Sequence, residues 1–261
     1  MTTRRATAPA QYGIPVPSEA QQAMSWPQTL WMYMSPGIPV LIVYLIGGRW
    51  LVSHHQPADL ALAAGFLFIG FPIELIRTLR TSRRAIGHWS LRGGIDFHAA
   101  LGWRRFLVRA VALTVAAFAL LLLTLPVTAA LAGGPLSFLP SFMRPAYNWS
   151  TLPLPRLWLL VVAAILLVIN GLLMPWIEEV YYRGYLLSRT PGRRGVAVVF
   201  GGVLFAVEHL WQPQNWLLII GLAIMLNLAV LRWRTIWVGY VVHAFCNSFG
   251  IILLAAPLLS R

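Results

Sequence analysis

The chain is poor in acidic residues and contains no lysine. Only seven of its 261 residues are Asp or Glu, whereas twenty are Arg, and the formal net charge is +13. The single cysteine, Cys246, excludes an intrachain disulfide and a zinc cluster built from thiolates. The arginines stand in short connections between apolar runs rather than on a basic and aromatic face, so no nucleic-acid partner is predicted.

Apolar residues dominate the composition instead. They make up 59% of the chain, and the mean hydropathy is +0.72, which predicts an integral membrane protein in contact with a lipid bilayer. A helix that crosses the hydrocarbon core needs roughly 20 mainly apolar residues. The sequence therefore predicts an all-α polytopic membrane protein with seven or eight transmembrane helices. The seven segments are 28–48, 59–77, 106–132, 157–187, 196–211, 215–231 and 235–258.

The distribution of arginine predicts the orientation. With seven spans, fifteen arginines fall on the side of the N-terminus, Arg109 lies just inside a span, and four lie on the other side. Arginine-rich connections face the cytoplasm, so the polar tail 1–27 is predicted to be cytoplasmic. An eighth crossing within 133–156 would invert the later loops, which favours a re-entrant or surface element there. The exclusive use of arginine suggests a GC-rich bacterial genome and hence an inner-membrane location.

The connection 78–105 is rich in arginine and also contains Trp89 and Trp103. It is predicted to lie on anionic lipid headgroups, where each basic residue contributes about 1 kcal/mol of attraction. A role in holding the tail of a substrate is the second interpretation. Just before this connection, Glu74 precedes Arg77 by three residues, and the spacing predicts a local ion pair.

Polar side chains interrupt the last apolar segments. An ionisable residue within the bilayer costs roughly 2.5 to 3.5 kcal/mol, so it normally faces the protein interior. Residues four apart share a helix face, which lets Glu179 reach Arg183. Neighbouring residues point about 100° apart, so only one glutamate of the pair is expected to face a common centre. Glu178 is assigned the chemistry, and Glu179 is expected to be held by Arg183.

Three motifs carry a family resemblance. EEVYYR at 178–183 fits Glu-Glu-x-x-x-Arg, FAVEH at 205–209 fits Phe-x-x-x-His, and HAFCN at 243–247 fits His-x-x-x-Asn. In this order, each on an apolar helix, they resemble the CAAX-processing and bacteriocin-processing (CPBP or Abi) intramembrane proteases. The resemblance covers the C-terminal four-helix catalytic core, 157–258, whereas 28–156 would form N-terminal transmembrane helices and the basic cytoplasmic loop.

The resemblance implies peptide-bond hydrolysis within the membrane. Glu178 would activate water with His209 beside it, and His243 with Asn247 would polarise the scissile carbonyl or hold a metal ion. The candidate catalytic residues are Glu178, Glu179, His209, His243 and Asn247, with Arg183, Phe205 and Tyr182 in support. One condition concerns depth: at 1.5 Å per residue, His209 would lie about 20 Å along a helix beginning near 196, against roughly 13 Å for Glu178.

Two mechanisms fit these residues. Glu178, His209 and His243 could hold a divalent ion such as Zn²⁺, which needs three protein ligands and an open position for water. Alternatively, a carboxylate shielded from bulk water acts as the general base without a metal, and imidazole and amide groups stabilise the oxyanion. The sequence does not choose between them. It contains no His-Glu-x-x-His, Gly-x-Ser-x-Gly or Gly-x-Gly-Asp motif.

Other functions also remain open. The polar groups could hold helices together in a non-catalytic scaffold or a bacteriocin-immunity protein, although three helices would then have to mimic one site. A proton-coupled transporter is a third reading, but it predicts repeats that the sequence does not show. For the protease, the predicted substrate is a membrane-associated protein or peptide, and a prenylated C-terminus is the less favoured choice.

Overall fold

The computed structural model describes residues 24–97, 99–144 and 149–259. Most of the predicted cytoplasmic tail, 1–27, therefore lies outside the described residues. The described chain is helical and contains no β-strand, which confirms the predicted all-α class.

Nine helices form the described structure, together with short 3₁₀ turns. They are α1 (Trp26–Met34), α2 (Gly37–Ser53), α3 (Asp59–Ile86), α4 (Leu91–Gly94), α5 (Trp103–Gly133), α6 (Arg156–Leu186), α7 (Arg194–Glu208), α8 (Trp216–Trp233) and α9 (Trp237–Ala255).

Six helical segments of the described chain are long and apolar enough to cross a membrane, so the protein is a multi-pass membrane protein. The predicted count of seven or eight is not confirmed, because the predicted span 196–211 forms α7, a helix of only 15 residues. The described part of 133–156 contains two three-residue 3₁₀ turns and no crossing helix. The six segments are Trp26–Ser53, Asp59–Ile86, Trp103–Gly133, Arg156–Leu186, Pro213–Trp233 and Trp237–Leu258.

Helix α6 occupies the centre of the bundle. It packs against α3 and α9, and its C-terminal part also contacts α1. Helices α7 and α8 form a tight hairpin in which Gly202 lies against Ile224; a Cβ atom at Gly202 would come within 2.7 Å of the Ile224 side chain. Small residues let helices approach closely in membranes, where apolar contact alone gives little preference for one helix over lipid.

Two stretches of α6 have the wider π-helical turn, Leu167–Leu173 and Glu179–Leu186. A π-helical turn shifts the side chains around the helix axis and is often found at functional sites. The second stretch begins at the second glutamate of the Glu-Glu-x-x-x-Arg motif. Every residue from Ile177 to Leu187 is buried, so all faces of this part of α6 contact protein.

The basic connection 78–105 does not lie wholly on a membrane surface. Ile95 and Phe97 are buried in the core, and Asp96 forms an ion pair with Arg189, with 2.9 Å between the charged atoms. The backbone N–H of Asp96 also donates to the carbonyl of Gly184 on α6. Part of the segment predicted to bind headgroups thus packs on α6 instead, because its apolar residues Ile95 and Phe97 are buried in the protein core.

Candidate active site

The charged motif residues are enclosed in the bundle. Relative exposure is 4% for Glu178, 0% for Glu179, 1% for Arg183, 7% for His209 and 4% for His243. Charged groups buried to this degree are stable only when they are paired and hydrogen-bonded. Their partners therefore define the site.

Glu179 lies between a guanidinium and an imidazole. Its Oε1 is 3.2 Å from NH1 of Arg183, the pair that the four-residue spacing predicted, and 3.1 Å from Nδ1 of His243 on α9. Gly239, one turn before His243, makes room for this carboxylate, because a Cβ there would stand 2.6 Å from Glu179 Oε2. Glu179 is thus fixed by its own helix α6, through Arg183, and by α9, through Gly239 and His243.

Glu178 faces the other nitrogen of the same ring. Its Oε2 is 3.5 Å from Nε2 of His243 and has no hydrogen-bond partner among the described residues. The expectation that only one glutamate would face the common centre was wrong. An imidazole carries nitrogens on two edges, so two carboxylates that point in different directions can each face one nitrogen of the same ring.

His209 follows the last residue of α7. Its Nδ1 is 2.7 Å from the carbonyl oxygen of Phe205 and 3.0 Å from Oε2 of Glu208. A hydrogen bond from Nδ1–H to this carbonyl leaves Nε2 as the acceptor nitrogen of a neutral ring. The depth estimated from the sequence does not separate His209 from the other motif residues, because its ring shares a neighbour with both Arg183 and His243.

That neighbour is Phe205. Its ring centroid lies 4.0 Å from the guanidinium carbon of Arg183, 4.6 Å from the ring of His209 and 6.1 Å from the ring of His243. Tyr182 packs on it as well, at 4.9 Å. The aromatic face therefore stabilises the buried cation by a cation–π interaction, and the Phe-x-x-x-His motif joins three of the site's helices.

Asn247 makes a different contact from the one the resemblance implies. It is half-buried, and its side-chain amide donates to the backbone carbonyl of Asn170 on α6 at 3.1 Å. The bond ties α9 to the first π-helical stretch of α6. Among the described residues, no hydrogen bond joins Asn247 to Glu178 or to the ring of His243, so its role in polarising a carbonyl stays a prediction.

Two further acids are buried near the motif residues. Glu74 does not form the predicted ion pair with Arg77 among the described residues; Arg77 instead donates to Ser35 at 2.7 Å and to Tyr181 at 3.0 Å. Glu74 is 2% exposed and lies close to the hydroxyl of Tyr182 and within electrostatic range of Glu178.

Glu208 is the second of these acids. It is 3% exposed and pairs with its neighbour His209. It also packs closely on the junction of α1 and α2, where a Cβ at Gly37 would come 2.7 Å from its Oε1. The Oε2 atoms of Glu74 and Glu178 are buried without a hydrogen-bond partner among the described residues. The only sequence signal for these acids is their rarity within apolar segments.

The donors do not assemble into a metal centre. Within the described chain, no group of three or more His, Cys, Asp or Glu side chains is arranged to hold a metal ion. The three residues predicted as ligands therefore do not fit a zinc site in this arrangement.

Comparison with known families agrees with the motifs. Residues 157–249 match the family described as Type II CAAX prenyl endopeptidase Rce1-like. The predicted resemblance to the CPBP or Abi proteases is confirmed over this region, and the match supports the fold of an intramembrane CAAX endopeptidase there. Because the family is one of proteases, the match supports a protease. No curated protein and no solved structure matches the chain.

Proposed function

We propose that the chain is an intramembrane endopeptidase that hydrolyses a peptide bond of a membrane-associated protein or peptide, with Glu178 as the base that activates water. The observation that carries this proposal is the free carboxylate oxygen of Glu178. Oε2 is buried, lacks a hydrogen-bond partner in the described chain, and faces the Nε2 edge of His243. A buried acceptor without a partner costs about 1 to 3 kcal/mol, and a water molecule placed there satisfies it.

The Glu179–His243 pair prepares His243 to stabilise the negative charge that develops on the carbonyl oxygen. A hydrogen bond from Nδ1–H of His243 to Glu179 fixes the ring and directs Nε2 toward Glu178. The guanidinium of Arg183 lies beside the same carboxylate of Glu179. When the ring is protonated, Nε2–H can donate to the oxygen that becomes negative during attack, as an oxyanion donor does.

In the proposed hydrolysis, Glu178 acts first as a base and then as an acid. Glu178 takes one proton from water, and the water oxygen forms a bond to the scissile carbonyl carbon. The carbonyl oxygen gains the negative charge and is stabilised by the imidazolium of His243. When the carbon–nitrogen bond breaks, the proton held by Glu178 passes to the leaving amine, and a new carboxyl terminus remains. The acceptor nitrogen of His209 can orient the same water.

No step is assigned to a metal ion. The described donors do not form a three-ligand set, whereas the carboxylate, the two imidazoles and the buried setting supply a complete general-base mechanism. The metal-dependent alternative predicts a loss of activity on chelation, which the experiments below address.

The decisive experiment compares Glu178→Gln with the unaltered protein. Both are purified in detergent and given a library of membrane peptides, and cleavage is followed by mass spectrometry. We expect at least a hundred-fold loss in the variant, because the amide has the shape of the acid but cannot accept the proton; one removed catalytic group typically contributes 10²- to 10⁴-fold.

Asp59→Asn is the matched control. Asp59 is the first residue of α3, and its carboxylate accepts a hydrogen bond from Trp149 at 2.9 Å, so this acid belongs to a different cluster. The control should keep its activity. Equal cleavage by the Glu178 variant and the parent would end the protease assignment and favour the non-catalytic scaffold or immunity protein.

Substrate identity is tested in the same assay. Peptides with and without a prenyl group on a C-terminal cysteine are compared at equal concentration, together with membrane-anchored peptides cut at internal bonds. The proposal commits to peptide-bond hydrolysis at this site, and the preferred class of substrate is read directly from the products.

A further inference from the structure

One face of α3 changes from apolar to cationic along its length. Phe68, in the π-helical stretch Phe66–Gly70, is 73% exposed, and Ile76 in the following α-helical turns is 42% exposed. Arg80 and Arg84 follow Ile76 at intervals of four residues, and they and Arg83 are all exposed. The face thus offers hydrocarbon contacts first and then a group of positive charges.

The opposite face of α3 is covered by protein. The short helix α4 folds back onto Thr78 and Ser82, which are buried. Two glycines allow this close contact, since a Cβ at Gly93 would come 2.5 Å from the Ser82 hydroxyl and one at Gly94 would come 2.7 Å from the Thr78 carbonyl. The docked segment therefore fixes which side of α3 stays outside.

The three arginines lack acidic partners. Among the described residues, none of them has a carboxylate within ion-pair distance. Like charges three and four apart on a helix repel each other. With Trp89 they line a cavity of about 550 Å³, and the guanidinium of Arg83 lies 5.2 Å from the centre of the Trp89 ring. An anion in the cavity would remove the repulsion.

We propose that this cavity, the Arg80–Arg83–Arg84–Trp89 pocket, binds the phosphate of an anionic phospholipid. Guanidinium groups match phosphate because they donate two parallel hydrogen bonds to it. Trp89, 52% exposed, is the residue type enriched at the boundary between hydrocarbon and water. The site lies apart from the buried Glu178 centre and does not depend on the proposed hydrolysis.

The exposed apolar side chains of Phe68 and Ile76 favour a lipid ligand over a soluble anion. From Phe68 to Arg80 the helix rises about 18 Å, at 1.5 Å per residue, which matches the length of an extended acyl chain. An acyl chain can lie along Phe68 and Ile76 while its headgroup reaches the arginines. A soluble phosphate would contact only the arginines and would make no contact with Phe68 and Ile76.

The test measures lipid retention by native mass spectrometry. The full chain in detergent is incubated with phosphatidylglycerol or phosphatidylcholine of the same acyl chains and then released in the gas phase. We expect the parent to retain phosphatidylglycerol in preference to phosphatidylcholine. Arg80→Gln/Arg83→Gln should weaken phosphatidylglycerol binding about ten-fold or more. Arg80→Lys/Arg83→Lys, which keeps the charge but loses the planar fork, should weaken it less.

The matched control is Arg193→Gln/Arg194→Gln. These two arginines are also exposed and adjacent to a helix start, so the control removes the same charge from a different surface. It should bind phosphatidylglycerol as the parent does. An equal loss in both double variants, or equal retention of the two lipids by the parent, would overturn the proposal. Displacement by soluble glycerol phosphate at the same concentration would also overturn it, because the site would then recognise a free phosphate.

Discussion

Oε1 of Glu179 lies 3.1 Å from Nδ1 of His243, while Oε2 of Glu178 lies 3.5 Å from Nε2 of the same ring. Two neighbours in sequence thus hold opposite edges of one imidazole. One of them is tied to Arg183 and orients the ring, and the other keeps an oxygen free. The difference between the two glutamates lies in their partners rather than in their depth.

Gly239 should tolerate no side chain without loss of activity. Gly239→Ala places a methyl group 2.6 Å from Oε2 of Glu179, so the carboxylate must move away from His243. We expect cleavage to fall at least ten-fold. Gly250→Ala on the same helix is the control: a Cβ there meets nothing within 4 Å, and removing a helical glycine is neutral or stabilising by up to about 1 kcal/mol. Unchanged kinetics in Gly239→Ala would contradict the role given to Glu179.

Replacing one member of the buried Glu179–Arg183 pair should destabilise the protein more than replacing both. Arg183→Gln leaves Glu179 charged in a dry interior, a loss of about 3 to 5 kcal/mol by analogy with other buried pairs. The double variant Glu179→Gln/Arg183→Gln should recover part of this stability because no lone charge remains. Thermal unfolding in detergent measures both. Cleavage should stay low in the double variant, since His243 has lost its ionised partner; recovered activity would argue against that partnership.

Glu74 should affect catalysis although it lies outside the matched region 157–249. Its carboxylate is buried near Glu178 and close to the hydroxyl of Tyr182. We expect Glu74→Gln to reduce kcat about ten-fold with a small change in KM, because the charge near Glu178 changes while the shape is kept. The Tyr182→Phe variant should show part of the same effect. A change in KM alone would indicate a substrate contact instead.

Chelators should leave cleavage unaffected. The described donors form no three-ligand set, so prolonged treatment with 1,10-phenanthroline or EDTA is expected to preserve activity after the chelator is removed. Metal content of the purified protein is measured in parallel. Inactivation that added Zn²⁺ reverses would support the metal-dependent mechanism, with Glu178, His209 and His243 rearranged to bind the ion.

Local spacing predicted much of the site. The Glu179–Arg183 contact follows from the four-residue helical repeat, and the cost of burying charge predicted that α6, the end of α7 and α9 would meet. Spacing could not show that both glutamates reach one ring, because it considered a single centre and not the two nitrogens of His243, which face different carboxylates. The same local reasoning paired Glu74 with Arg77, whereas the tertiary fold offered Arg77 the hydroxyls of Ser35 and Tyr181.

The membrane spans were likewise predicted only in part from the sequence. Composition predicted six of the helices closely, but α7 ends at Glu208, where the chain turns so that His209 can bond back to the carbonyl of Phe205. An apolar run of 16 residues cannot by itself indicate where a helix stops. The contact of Asn247 with the Asn170 carbonyl likewise depends on how α9 meets the first π-helical stretch of α6.

Helix α1 is joined to the Glu-Glu-x-x-x-Arg helix by its own last turn. The hydroxyls of Tyr181 and Tyr182 donate to the carbonyls of Met32 and Tyr33, at 2.9 and 3.4 Å. The last carbonyls of a helix have no backbone N–H partner within the helix, so the two tyrosine hydroxyls supply hydrogen-bond donors at the end of α1. A shortened chain that starts at α2 would lose both acceptors beside the acids. The smallest version of this protein that retains an intact centre must therefore keep its first helix.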